Sequence, residues 1–156
     1  MNTFSARKIG EVLAFALVGN ETITQGQTAL EEAFGHEIIE KYIAINKRHI
    51  EVINVIDRDE EIIATIKAKA EATSQKLRSM RDSYIQEKWD DIAELLEWLG
   101  FFEGAAIVHW SLVSGVSKGE EHNTLSQLAS EATDFHKEAL DKVCDKINEI
   151  GSKRKE

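Results

Sequence analysis

Residues Trp98–Trp110 read WLGFFEGAAIVHW, the most apolar run in the second half of the chain, with one carboxylate, Glu103, at its middle. Around it Ile92, Leu95, Leu99, Phe102, Ala106, Trp110 and Val113 recur at helical spacing, which predicts a helix over about 89–116. Glu103 follows Leu99 by four residues and precedes Trp110 by seven, so it shares the buried line. A carboxylate there costs several kcal/mol unless it is paired or metal-bound. The stretch therefore asks for a fold built from long buried helices, and for a partner to Glu103.

The rest of the chain answers in kind. Its 156 residues contain no proline, the usual helix breaker, and the length suits one domain spanning 1–156 with a real core. A first helix is predicted from about residue 5 to 34 on Ile9, Leu13, Ala16, Leu17, Ile23, Leu30 and Phe34. Thr3 or Ser5 is placed to cap it and Gly35 to end it. A competing reading turns instead at Gly19-Asn20. The second helix starts near His36 on Ile39, Tyr42, Ile43, Ile50, Ile53 and Ile56, and Ile38, Ile45, Val52 and Val55 widen its apolar stripe. Asp57–Glu61 is a charge run that reads as a solvated face or a bend. Ile62–Ile85 either continues helix two or forms a separate crossover helix. Ser114–Glu121 (SGVSKGEE) reads as a loop. Thr124 and Gln127, at capping-box spacing, open a last helix on Leu125, Leu128, Ala132, Phe135, Ala139, Leu140, Val143, Ile147 and Ile150. Four long amphipathic helices make an all-α four-helix bundle the expected fold, with residues 57–88 as the long helical connection.

Composition narrows the function classes. The net charge is −9 with both signs interspersed, which argues against nucleic acid and against anionic lipid as partners. No uninterrupted apolar run approaches the roughly 20 residues of a bilayer span, and Val12–Val18 lies too near the start, without a small-residue cleavage site, to read as a signal peptide. The single Cys144 precludes an intrachain disulfide and fits a cytoplasmic setting; its place between Leu140 and Ile147 predicts a small core residue. Trp89, Trp98 and Trp110 read as packing or dimer contacts.

Each helix carries one ionisable group on its stripe: Glu21 on the first, His49 on the second, Glu103 on the third and His136 on the fourth. Glu11 rivals Glu21, and Glu97 rivals Glu103. The residue midway between Glu21 and His49 is Gly35, and the midpoint of Glu103 and His136 falls at Gly119-Glu120. Residues equidistant from the turn of an antiparallel hairpin face each other, so both pairs are expected roughly 20–25 Å from their turns, near mid-height. Two carboxylates and two imidazoles at one level are a metal-site composition. His109 falls on another face, as surface or as a support to the site, and His122 in the loop.

This layout, with INKRHIEVI (Ile45–Ile53) and ATDFHKEAL (Ala132–Leu140), resembles the ferritin-like superfamily, rubrerythrin-type proteins included. That family places a Glu on helices one and three and a Glu-x-x-His motif on helices two and four, around two metal ions. The histidines match at His49 and His136; the glutamate positions hold Asn46 and Thr133. The resemblance implies iron or another divalent transition metal in an oxidative or iron-handling role. The ligands left, Glu21, His49, Glu103 and His136, suit one ion rather than two, or none if the motifs have decayed. HEIIE (His36–Glu40) and HKEALD (His136–Asp141) also resemble hemerythrin-type spacings, without that family's His-x3-His pair. The reading of a different class is a metal-free helical module for interaction or assembly. Under either, the wide apolar covering of helix two leads us to expect a homo-oligomer, a dimer.

Overall fold

The structure is a computed structural model that describes residues 1–154. It is all-α, with α1 (Thr3–Gln25), α2 (Gln27–Phe34), α3 (His36–Asn54), α4 (Glu60–Ile85), α5 (Ile92–Gly119) and α6 (Asn123–Lys153).

The first predicted helix is two. Gly19 and Asn20 lie inside α1, so the alternative turn there does not form, and the break comes at Gly26. A Cβ on Gly26 would stand 2.6 Å from Leu95 Cδ2 in α5, so a larger residue there would have to push the buried Leu95 side chain aside. The helix cap is Asn2, whose side chain accepts from Ser5 N at 2.9 Å, rather than Thr3 or Ser5. Gly35 makes the expected turn, with a left-handed φ of 89° that disfavours any residue with a Cβ.

Residues 57–88 are a crossover built on a helix of their own. The charge run bends: Asp59 accepts from Glu61 N and Ile62 N and so caps α4, where Glu60 and Glu61 also suit the positive end of the helix dipole. Asp91 caps α5 in the same way. The loop expected over Ser114–Glu121 shrinks to three residues. With no proline present, α5 runs on through Gly119, and His122 N–H closes back on Ser117 O at 2.9 Å. The cap of α6 is His122, whose Nδ1 accepts from Leu125 N at 3.2 Å, rather than Thr124.

Pairs of contacts fix the helix directions. Glu11 meets Lys69 and Glu21 meets Arg78 and Arg81, so α1 and α4 run parallel. Glu11 also meets His109, and Gly19 lies under Phe102, so α5 is antiparallel to α1. Glu103 meets His136 and Gly100 lies against Val143, so α5 and α6 are antiparallel. Arg48–Glu131 and Lys41–Glu138 set α3 antiparallel to α6. It follows that α5 runs parallel to α3, as a crossover requires.

α1 lies at the centre, against α3, α4 and α5. Ile9 through Ala16 are all buried, so the Val12–Val18 run is core apart from Leu17, which is exposed. A close crossing lies at Gly10, where α1 rests on the backbone of α4. One core cluster gathers Phe15, Leu30, Ile85, Leu95 and Phe102, and a second Ile9, Ile53, Ile66, Trp110 and Leu125. Trp98 and Trp110 are buried packing residues. Cys144, expected in the core, is exposed; Val143 beside it takes the inward position. The widening residues of helix two, Ile38, Ile45 and Val52, are half-buried, and Val55 is exposed.

Among the described residues one helix, Ile92–Gly119, is long and apolar enough to cross a membrane by length and composition, and 33% of that apolar window is buried. Glu94, Glu97 and Glu103 interrupt the run, which is why counting uninterrupted apolar residues passes it over.

Candidate interior polar site

Glu103 and His136 meet in the core. His136 Nδ1 donates to Glu103 Oε2 at 2.5 Å, between residues 9% and 1% exposed. Local sequence explains the meeting. The α5–α6 turn is short and α5 continues helically to it, so residues equidistant from Gly119-Glu120 come level, and both groups lie on their helices' inner lines.

His49 of α3 is the third member. Its side chain is buried, with ring centroids 5.5 Å from Trp110, 5.8 Å from Phe135 and 6.3 Å from His136. Its Nδ1 has no hydrogen-bond partner. Burial, reinforced by the nearby His136, pushes its pKa down to about 4, so the imidazole is neutral at physiological pH. Tyr42, Asn46 and His49 recur at four- and three-residue steps on one face of α3. The Tyr42 hydroxyl and Asn46 Oδ1 also lack partners. A small cavity of about 30 Å³ adjoins the pair, lined by Tyr42, Glu103, Leu99 and Val143, with space for about one water-sized occupant.

Glu21, expected as the fourth member, is elsewhere. It accepts from Arg81 Nη1 at 2.7 Å and from Arg78 Nε at 2.9 Å. Desolvation opposes its ionisation, but the two guanidiniums prevail and hold its carboxyl below the ordinary range. The break at Gly26 destroys the register that would set Glu21 opposite His49; Gly19 instead lies against Asn46, and the Asn20 amide donates to Ile43 O. Nor does Glu11 replace it. That carboxylate faces the α1–α4–α5 groove, with Lys8 Nζ at 3.1 Å, His109 Nδ1 at 3.0 Å and Lys69 Nζ at 3.4 Å. His109 is thus neither free surface nor a support to the interior pair. Glu97 is exposed and accepts from the Tyr84 hydroxyl.

Among the described residues, the trio of potential ligands whose donor atoms lie within 4.8 Å of one another is Glu31, His36 and Glu40. It straddles the Gly35 turn at the surface, where His36 Nδ1 donates to Glu31 Oε1 at 2.9 Å. That bond raises the His36 pKa. HEIIE carries two of the three, since residues four apart share a helix face; Glu31 is reached only through the turn. His49, Glu103 and His136 do not close to that distance.

Compared with protein-family models, with curated proteins and with solved structures, the chain matches none.

Proposed function

We propose that α1, α3, α5 and α6 form a ferritin-like four-helix bundle, flanked by the crossover helix α4, that holds a single divalent transition metal in its interior through His49, Glu103 and His136. The observation that carries this reading is the orphaned Nδ1 of the buried His49, one ring away from a buried histidine–carboxylate pair. The indole Nε1 of Trp98 and of Trp110 is likewise buried without a partner, but an indole N–H only donates, whereas the His49 nitrogen can present a lone pair to a metal. Two imidazoles and one carboxylate suit iron, zinc or manganese, and the low proton affinity of His49 removes competition for its lone pair. Iron there would supply oxidative or iron-handling chemistry. The chain's own part is to exclude water from the level of Trp110 and Phe135 and to hold Glu103 against His136. His49 must also swing toward the pair, since its donor atoms do not converge with theirs.

A second reading is favoured by a separate observation: Glu103 and His136 already satisfy each other, as a metal-free core pair in a helical assembly module requires.

Elemental analysis of protein purified without chelator or affinity metal separates the two, alongside Co²⁺ titration of the apo-protein followed by its visible spectrum. The metal reading expects about one equivalent, retained in His36→Ala and lost in His49→Ala and His136→Ala. Absence of metal, or its loss in His36→Ala alone, rejects the interior site.

A further inference from the structure

α5 is apolar on both sides. Its inner line packs in the core, while Phe101, Val108 and Leu112 stand on the opposite line at 66%, 68% and 43% exposure. A helix that is apolar all round is normally covered all round. The patch continues onto α4, where Met80 and Tyr84 are exposed and the Tyr84 ring lies 5.7 Å from that of Phe101.

Glycines share the same outer line. Gly104 and Gly115 have nothing within 4 Å of where a Cβ would stand, so no contact within the chain requires them. Both weaken the helix relative to alanine. Spacing explains them once α5 meets itself. In an antiparallel pair centred on Val108, Phe101 falls opposite Gly115 and Leu112 opposite Gly104, each large side chain over a bare backbone. The same register sets Glu97 opposite Gly119 and so within one residue of the exposed Lys118, close enough for the two long side chains to pair, and among the described residues Lys118 has no carboxylate partner. The matched stretch, Glu97 to Gly119, is about 33 Å of helix.

We propose that the outer face of α5 is the interface of a two-fold symmetric homodimer, with Val108 on the axis and the neighbouring Met80 and Tyr84 of α4 at its rim. A second copy fits better than a lipid surface. Each large residue finds its glycine only in another α5, Glu94 and Glu97 give one end of the patch an acidic border, and the chain carries a net charge of −9. The interface is isologous, as two-fold symmetry demands.

Sedimentation velocity of the full chain over roughly 1–200 µM tests this. A monomer–dimer equilibrium is expected. Val108→Glu, at an exposed position that leaves the fold intact, should weaken it about 100-fold by facing two carboxylates across the axis. Gly104→Ala with Gly115→Ala should raise the melting temperature of dilute monomer by about 2–4 °C yet weaken dimerisation about tenfold or more. Lys118→Glu should weaken the dimer and Glu97→Lys in the same chain restore it. A monomer across the range, or a dimer indifferent to Val108→Glu, overturns the proposal. So does binding of the unmodified monomer to phosphatidylcholine vesicles without self-association, which would make lipid the occupant.

Discussion

Gly10 of α1 faces the carbonyl oxygen of Ile66 in α4 so closely that a Cβ on it would stand 2.6 Å away, with Lys69 Cβ at 2.7 Å. The neighbours are backbone and the root of a side chain, neither able to give way without moving a helix. Gly10→Ala is therefore expected to cost about 1–3 kcal/mol through overpacking, although alanine is the better helix former. Urea unfolding of the two proteins measures it; an unchanged or raised midpoint would mean the helices do not cross there.

The Glu103–His136 pair yields a graded series. Glu103→Gln keeps an acceptor for His136 Nδ1 and should cost about 1 kcal/mol. Glu103→Ala leaves a buried donor unpaired and enlarges the neighbouring cavity, for about 2–4 kcal/mol. Equal losses for the two, read from the same unfolding curves, would place the pair in contact with solvent.

Acid should loosen the fold through His49. Its folded pKa of about 4 lies below the ordinary 6.5, so between those values the unfolded chain binds a proton that the folded chain refuses. Stability is unaffected by this group above about pH 6.5 and falls as pH drops through that window, by roughly 2–3 kcal/mol at pH 4.5. The difference between the unfolding free energies of the unmodified protein and of His49→Gln, followed from pH 7.5 to 4.5, isolates it from the carboxylates. A flat difference curve refutes the burial of a neutral imidazole.

Arg81, with a side chain only 5% exposed, joins α4 to α1 through Glu21 and stacks its guanidinium 5.3 Å from the Trp89 ring centre. Arg81→Ala should cost about 2–3 kcal/mol, counting its packed stem. Glu21→Gln should cost about 1 kcal/mol, because Glu21 is more exposed and Asp82 still pairs with Arg81. Neither change should alter metal content, since Glu21 lies outside the interior site.

The parts legible in the sequence are those set by local chemistry. Gly35 turns because a left-handed residue ends a helix there, and the α5–α6 turn is short enough for counting to bring Glu103 level with His136. The Gly26 break was not legible, because Gly26 is one of three interruptions in that stretch with Gly19 and Asn20, and its neighbour Leu95 lies some seventy residues away. That break in turn misplaces Glu21, whose partners Arg78 and Arg81 lie 57 and 60 residues on, in the segment whose path periodicity left undecided. Periodicity marks the inner line of α5, since Leu95, Leu99, Phe102, Ala106, Trp110 and Val113 are all buried, but it passes over the apolar residues Phe101, Val108 and Leu112 on the opposite line. Cys144 and Val143 are adjacent near the edge of a stripe, where a few tens of degrees of helix rotation decide exposure.

The central position of α1 bears on how the chain is made. α1 leaves the ribosome before every helix that covers it, and its last cover, α5, is complete about 90 residues later. At typical rates of synthesis that is roughly 5–20 s with the apolar Val12–Val18 segment of α1 unshielded. α5 and α6, by contrast, are sequence neighbours with a three-residue turn and can associate as they emerge. Nascent chains halted before residue 92 should therefore recruit holding chaperones through Val12–Val18 and lose that association once α5 is present, which ribosome-stalled fragments of increasing length would reveal.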